Sequence, residues 1–169
     1  MSEALEFSRL FDRRHLSGKP EHLVATEAEC KALSRRFGLV SIGRLEATLT
    51  LSADGDTIAA RGKLDADIVQ SCAVSGDDLP VSVAEKIDLR FVPQQEIAEE
   101  ELELESGDLD EIPYAGHTFD VGEAVAQSLA LAIDPYATGP RADQVRKEKG
   151  LLEPGAAGPF GALAALKKD

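Results

Sequence analysis

The sequence predicts an α+β fold, in which an antiparallel β-meander or partly closed sheet is covered by two helices. Alternating apolar and polar residues run from Leu45 to Phe91 and are interrupted by short polar turns, the pattern of consecutive antiparallel strands. Two segments, near residues 26–37 and 120–133, begin with capping residues and carry apolar side chains at helical spacing. An acidic stretch and a Pro/Gly-rich ending predict an exposed loop and a flexible C-terminal tail.

The first predicted elements are a strand and a helix. Leu5–Phe11 alternates apolar and polar side chains, which is the period of a half-buried strand. Thr26 and Glu29 have the spacing of a capping box, in which a hydroxyl and a carboxylate each bond a free backbone N–H. Gly38 stands where a helix commonly ends. These signals predict a short amphipathic helix over residues 26–37.

Three long strands joined by tight turns are predicted to follow. Ala53–Asp56 and Ser75–Asp78 contain the Gly and Asp residues that such turns favour. Because every second residue between the turns is mostly apolar, one face of the sheet is expected to be buried and the other wet. The residues expected on the buried face are Leu45, Ala47, Leu49, Leu51, Leu64, Ala66, Ile68, Cys72, Val74, Leu79, Val81, Val83, Ile87, Leu89 and Phe91.

An acidic loop and a second helix complete the predicted domain. Residues 94–111 are dominated by Glu and Asp, whose mutual repulsion favours an exposed loop, with a brief strand near Glu111–Tyr114. Asp120 can cap the helix that follows, and Pro135 ends it. We therefore expect a single α+β domain over residues 1–134.

The C-terminal residues have a different composition. Nine of the residues in 135–169 are Pro or Gly, which is typical of a linker or tail. Phe160, Leu163 and Leu166 follow at three-residue spacing, with two lysines behind them. We expect a tail that ends in a short apolar segment, which would present these three side chains as a stripe if it became helical.

Charge separates the regions further. The formal net charge is -13, and residues 96–134 contain 12 Asp or Glu and no Lys or Arg. A field of this sign repels nucleic acid at long range and attracts basic proteins. No apolar run approaches the roughly 20 residues that cross a bilayer, and the N-terminal residues are charged. These features favour a cytoplasmic protein with no membrane partner.

The sequence contains no pattern for nucleophilic catalysis, a cofactor or a metal. A phosphate-binding Gly loop, a nucleophile elbow and a His-Glu-x-x-His motif are all missing. His15, His22 and His117 are scattered, and Cys30 and Cys72 lie far apart. We expect no metal site, no cofactor and no small-molecule substrate, and we interpret both cysteines as small buried apolar residues.

Paired carboxylates leave one enzymatic alternative, a metal-dependent enzyme that processes RNA. Asp65 and Asp67 share a predicted strand face, and Asp77 and Asp78 lie in a predicted turn. The chain has 31 acidic residues, so such pairs arise by chance, and turn preference accounts for Asp77 and Asp78. We expect a protein that is not an enzyme.

A basic cluster near the N-terminus is a candidate site for RNA phosphates. Its members are Arg9, Arg13, Arg14, Lys19, Arg35 and Arg36. In the alternative interpretation, Arg35 and Arg36 complement the dipole at the helix C-terminus and the other four are ordinary solvated charges.

Two further segments are candidate sites for protein partners. One is the acidic set Glu99, Glu100, Glu101, Glu103 and Glu105, which would attract a Lys/Arg-rich protein, or would only keep the chain soluble. The other is the stripe of Phe160, Leu163 and Leu166, which would dock on another protein or pack within this one.

Several blocks along the chain resemble one protein family. They are Val69–Ser75, Phe91–Pro93, the acidic gap, Phe119–Glu123, Leu129–Tyr136 and Pro159–Lys168. In this order they resemble the bacterial YceD family, the large-ribosomal-RNA-subunit accumulation proteins, most clearly from about residue 60 onward. Many members of that family carry Cys-x-x-Cys at the first block, whereas this chain has Cys72-Ala73-Val74-Ser75. This departure argues against carrying over a metal site.

The resemblance implies a role in accumulation, processing or assembly of large-subunit ribosomal RNA, without known catalytic chemistry. The hypothesis is a non-enzymatic ribosome-biogenesis factor that binds a basic ribosomal protein or a precursor of the large subunit. The alternatives are a direct RNA-binding protein that uses the N-terminal basic cluster and the metal-dependent enzyme described above. The sequence leaves the oligomeric state open.

Overall fold

The computed structural model describes residues 6–94 and 111–150, and the fold is α+β as the sequence predicts. The elements in these residues are β1 (Leu10–Asp12), β2 (Pro20–Val24), α1 (Glu27–Phe37), β3 (Ser41–Asp54), β4 (Thr57–Ser71), β5 (Asp78–Pro93), β6 (Glu111–Tyr114), β7 (Thr118–Asp120), α2 (Val121–Ala132) and α3 (Ala142–Glu148). A 3₁₀ turn at Arg13–His15 follows β1.

The main sheet has five strands in the order β2-β3-β4-β5-β6, and β1 pairs with β7 in a separate two-stranded sheet. The pairs β2–β3 and β3–β4 are antiparallel, with the predicted hairpin turn between Asp54 and Thr57. At the other edge, β6 runs parallel to β5, so the sheet extends the predicted antiparallel meander by one parallel strand. Glu111 lies beside Arg90, so the chain returns toward the start of β5 before pairing, a direction that the side-chain pattern does not encode.

The predicted buried face forms most of the core. The predicted residues of β3, the β4 residues Leu64, Ala66 and Ile68, and the β5 residues Val83, Ile87 and Phe91 are all buried. Leu79, Val81 and Leu89 are only partly covered. Cys72 and Val74 were wrongly placed on this face, since β4 ends at Ser71.

Both predicted helices cover the core. In α1 the capping box is present, with Thr26 N donating to Glu29 Oε2 at 2.7 Å and Glu29 N donating to the Thr26 hydroxyl at 3.3 Å. Gly38 ends the helix in the left-handed region, at φ 67°. Cys30 and Leu33 of α1 belong to the same buried cluster as Val125 and Leu129 of α2. None of the helices in the described residues is long and apolar enough to cross a membrane.

An aromatic cluster surrounds Phe119 of β7. Its ring centroid lies 4.7 Å from that of Phe91, 5.9 Å from that of Tyr114 and 6.3 Å from that of Phe11. The Tyr114 hydroxyl donates a hydrogen bond to the carbonyl of Asp56, so its polar atom is satisfied inside the cluster. Phe119 therefore joins the two-stranded sheet to the edge of the larger one.

The N-terminal strand is shorter than the prediction over Leu5–Phe11. The strand β1 covers only Leu10–Asp12, because the backbone of Arg9 bonds the start of α2 instead of a neighbouring strand. Phe7 is completely buried, as the alternation requires, but Leu10 is 67% exposed. The edge strand β2 was not predicted, since Pro20–Val24 is short and largely polar.

The Asp120 carboxylate holds this N-terminal segment against α2. Asp120 Oδ1 accepts hydrogen bonds from Arg9 N at 2.8 Å and from Glu123 N at 3.1 Å, and Asp120 Oδ2 accepts one from the Ser8 hydroxyl at 2.6 Å. The next residue but one is Gly122, where a Cβ atom would lie 2.7 Å from Arg9 N. One residue therefore caps the helix and fixes a segment more than 100 positions away in the sequence.

The chain divides into two compact units. Among the described residues, one contains residues 6–69, 80–94 and 111–133, and the other contains residues 70–79 and 134–150. In the second unit, Gln70 Nε2 donates to the Asp134 carbonyl at 2.8 Å, and Ala73 N donates to the Ala137 carbonyl at 3.0 Å. Helix α3, which the sequence analysis missed because it is short and lies in Pro/Gly-rich surroundings, belongs to this unit.

We expect Gly62→Ala to destabilise the protein strongly. A Cβ atom at Gly62 would lie 1.9 Å from the Thr48 carbonyl oxygen in the middle of the β3–β4 pair, so the strands would have to separate. The free energy of unfolding should fall by about 3 kcal/mol or more in urea denaturation. Gly43→Ala is the matched control, because its Cβ would meet only Asp67 O at 3.7 Å, and its effect should stay below about 1 kcal/mol. Equal losses for both variants would contradict this prediction.

Asp120→Ala should cost more than the loss of a helix cap alone. The variant removes the cap and also leaves Arg9 N and the Ser8 hydroxyl without their acceptor. We expect a loss of about 2–4 kcal/mol by urea denaturation. Thr26→Ala, which removes the capping hydroxyl of α1 without breaking any long-range bond, should lose only about 1 kcal/mol. A similar loss in the two variants would show that Asp120 acts only as a cap.

Candidate functional site

Arg9 of the predicted basic cluster is held in a two-pronged ion pair. Its Nη1 and Nη2 atoms donate to Glu29 Oε1 and Oε2 at 2.8 and 3.0 Å, and Nη2 also donates to the Val24 carbonyl at 3.0 Å. The hydrogen bond from Arg9 lowers the pKa of Glu29 to about 2. Arg9 therefore links the N-terminal segment to β2 and α1, and its donors already face protein acceptors.

Three more arginines of this cluster are paired with carboxylates. Arg13 contacts Asp56, Arg14 contacts Asp12 at 2.6 Å, and Arg36 contacts Glu123 at 2.8 Å and Glu6 at 3.3 Å. Lys19 and Arg35 form no such pair with any described residue. Four of the six candidate cations thus have local counter-ions, and only Lys19 and Arg35 stand apart. The RNA-binding role of the cluster stays a prediction.

The protein-binding candidates lie outside the described residues. This holds for the acidic set Glu99, Glu100, Glu101, Glu103 and Glu105 and for the stripe Phe160, Leu163 and Leu166. Both stay predictions from sequence.

Three of the four carboxylates considered for metal chemistry have cationic partners in the structure. Asp67 accepts from Arg44 Nε at 2.8 Å and from the Ser82 hydroxyl at 2.9 Å, and the bond from Arg44 is the main cause of its lowered pKa. Asp65 lies 3.3 Å from Lys63 Nζ. In the second unit, Asp77 lies 3.2 Å from Arg141, while Asp78 is an exposed residue at the start of β5.

The histidines also lie apart from any metal-binding arrangement. His22 has its ring 3.1 Å from the Thr48 hydroxyl and 3.8 Å from Glu46, and His15 lies 3.8 Å from Asp12. The carbonyl of His117 accepts a hydrogen bond from a backbone N–H of the N-terminal segment. Within residues 6–94 and 111–150, no three His, Cys, Asp or Glu side chains are arranged to hold a metal ion.

The turn at Cys72 brings backbone N–H groups to a buried sulfur in the second unit. The Cys72 side chain is buried, and its Sγ accepts hydrogen bonds from Gly139 N at 3.2 Å and from Ser75 N at 3.4 Å. The turn is closed by Cys72 N donating to the Asp77 carbonyl at 2.8 Å and Gly76 N donating to the Cys72 carbonyl at 3.0 Å. Gly76 takes φ 75°, which suits glycine.

These hydrogen bonds change the acidity of the thiol. The Ser75 hydroxyl, followed by backbone N–H groups, lowers the pKa of Cys72 from 9.0 to about 6. Cys30 behaves oppositely, because burial raises the pKa of its thiol. The predicted burial of both cysteines is confirmed, and the Sγ of Cys72 also accepts two hydrogen bonds. A signal was present in the sequence, since Cys-x-x-Ser-Gly can form a tight turn around the sulfur.

The fold and these contacts define a small acidic α+β protein whose described charged side chains mostly pair with one another. The family follows from the sequence match. Residues 60–167 match the model of the family described as Large ribosomal RNA subunit accumulation protein YceD, and the chain belongs to this family. No curated protein and no solved structure matches the chain. The family assignment supports a general role in ribosome biogenesis.

We expect the Cys72 thiol to titrate near pH 6. In a Cys30→Ala variant, the ultraviolet absorbance of the thiolate should rise with a midpoint at about pH 6, and Ser75→Ala should raise this midpoint. The folded pKa lies below the unfolded one, so the thiolate stabilises the folded protein fully above pH 9, and this contribution is lost as the pH falls toward 6. A midpoint near 9 in the folded protein would contradict the assigned hydrogen bonds.

Proposed function

We propose that this protein is a non-enzymatic, cytoplasmic ribosome-biogenesis factor. It supports the accumulation of large-subunit ribosomal RNA by binding a basic ribosomal protein or a precursor of the large subunit. The observation that carries this proposal is the charge distribution: residues 96–134 hold 12 carboxylates and no Lys or Arg, inside the region that matches the family. Such a segment attracts Lys/Arg-rich proteins and speeds their encounter at low salt.

The pairing of the arginines supports a protein partner over RNA. Phosphate binding needs guanidinium groups that can turn toward the ligand. Arg9 and Arg36 instead direct two nitrogen atoms each at a carboxylate. Using them for RNA would require breaking contacts that join separate elements of the fold.

Direct RNA binding remains the second candidate, and Lys19 and Arg35 are the observation in its favour. Neither has a carboxylate partner among the residues that the structure describes, so a phosphate contact at either would break none of the ion pairs between those residues. A double variant, Lys19→Glu with Arg35→Glu, tests this candidate without breaking an ion pair of the fold.

The proposal includes the absence of a chemical reaction. Asp65 and Asp67 face Lys63 and Arg44, which neutralise carboxylates that a catalytic metal would need. Incubation of the full chain with precursor ribosomal RNA and magnesium or manganese should therefore produce no cleavage. Cleavage that disappears in Asp65→Asn or Asp67→Asn would establish the enzymatic alternative.

We expect neutralisation of the acidic set to weaken association with precursor large subunits. The variant replaces five glutamates by Gln, namely Glu99, Glu100, Glu101, Glu103 and Glu105. The fraction of the protein that co-sediments with precursor large subunits in cell extracts should fall about fivefold or more, because the attraction to a basic partner is lost. Added salt should weaken the native association in the same way. A second variant, with Ala at Phe160, Leu163 and Leu166, tests the contribution of the tail separately.

The Lys19→Glu and Arg35→Glu double variant is the control for this experiment. It should co-sediment as the unchanged protein does. The proposal would be rejected if the Gln variant kept full association while this double variant lost it, since that result would assign the contact to RNA.

A further inference from the structure

The strand β5 has an edge that is only partly paired. It runs over Asp78–Pro93, but β6 pairs only with Arg90–Pro93. On the side of β6, no other strand in the described part of the chain lies along Glu85–Leu89. Within residues 6–94 and 111–150, no strand pairs with the backbone N–H and C=O groups of Glu85–Leu89 on that side, and an edge of this kind can pair with an added strand.

A groove follows this edge. It has a volume of about 400 Å³ and is lined by Glu85–Leu89 and by three residues of α2, namely Ser128, Leu131 and Ala132. Leu131 and Ala132 follow Ser128 by three and four positions, so all three residues lie on one side of α2. Leu131 is 89% exposed, so the groove wall presents an apolar side chain to solvent.

Glu85 gives this groove its charge. It occupies the same side of β5 as the buried residues Val83 and Ile87, because alternate residues of a strand share a face. Lys86 and Asp88 lie on the opposite face, and Asp88 is paired there with Arg61 at 3.2 Å. Glu85 therefore places a carboxylate on the face of β5 that also carries Val83 and Ile87 and that faces α2.

Helix α2 adds negative potential at the same place. Leu131 and Ala132 belong to its last turn, which contains no basic residue. The carbonyl end of a helix carries a partial negative charge, which favours a cation nearby. The groove thus combines an open strand edge, an apolar wall and negative charge.

We infer that an extended, Lys/Arg-containing segment of a protein partner adds to the sheet along Glu85–Leu89. An apolar side chain of that segment packs on Leu131 and Ala132, and the next basic side chain on the same face lies beside Glu85. Backbone hydrogen bonds supply affinity in this mode of binding, and alternate side chains supply specificity. The inference rests on the proposed function and assigns a surface for the basic partner.

A second copy of the chain fits this groove less well. Each copy carries a net charge of -13, and two such edges would bring two Glu85 side chains together. Like charges opposed across a strand pair destabilise it, whereas a Lys or Arg at that place stabilises it.

The experiment uses the full chain and a labelled synthetic peptide with the repeat Val-Thr-Lys-Thr, in which valine and lysine alternate along one face of the extended strand. Fluorescence anisotropy should show binding, and Glu85→Lys and Leu131→Glu should each weaken it by about tenfold or more. Both side chains are exposed, so the variants should fold, which circular dichroism checks. Asp54→Lys and Leu10→Glu are matched controls, since they make the same charge changes at exposed residues elsewhere, and they should alter the Kd by less than about twofold.

A peptide with N-methylated alternate amides, which cannot donate to a strand edge, distinguishes strand addition from charge attraction. It should bind about tenfold more weakly than the plain peptide. The inference is overturned if the wild-type chain does not bind the plain peptide, if both peptides bind equally, or if all four variants bind as wild type does. It is also overturned if the unliganded chain sediments as a dimer that Glu85→Lys abolishes, because a second copy would then fill the groove.

Co-sedimentation with precursor large subunits separates this inference from the proposed function. If the wild-type chain binds the peptide at the groove but does not co-sediment with precursor large subunits, the proposed function is rejected. The natural partner of the groove is then not a component of those precursors. Normal co-sedimentation of Glu85→Lys and Leu131→Glu would reject the groove as the contact and leave the proposed function standing.

Discussion

The main compact unit depends on the attachment of the N-terminal segment to the start of α2 through Asp120. Its carboxylate accepts bonds from the backbone of Arg9 and the hydroxyl of Ser8 and also caps the helix. The close approach at Gly122, where no side chain would fit, lets the segment lie directly on the helix. The same attachment fixes the start of α2, whose apolar residues cover the core while Leu131 is exposed beside β5.

The distribution of charge follows from the same packing. The ion pairs Arg9–Glu29 and Arg36–Glu123 join elements that are distant in sequence, and they neutralise cations that would otherwise offer a surface to RNA. The acidic residues are more numerous and so dominate the field around the molecule. Because these arginines are paired within the fold, the field around the molecule remains negative.

The family blocks have separate structural tasks. The block Phe119–Glu123 supplies an aromatic centre, a helix cap, a close backbone contact and an ion pair. The block around Cys72 instead forms a turn in the second unit, where Ser75 stands in place of the second cysteine of the family pattern and bonds the sulfur. In this chain the turn is held by hydrogen bonds to a single thiol.

The sequence by itself determined the α+β class, the capping box of α1, the cap of α2 at Asp120 and the alternating faces of β3 and β4, because these depend on neighbouring residues. It also located Glu111–Tyr114 as a strand, but not its direction. Only the tertiary structure decided that β6 is parallel, that it pairs with β5 only at Arg90–Pro93 and that Arg9 meets Glu29. These features arise where segments far apart in sequence meet, and local periodicity carries no information on which segments those are.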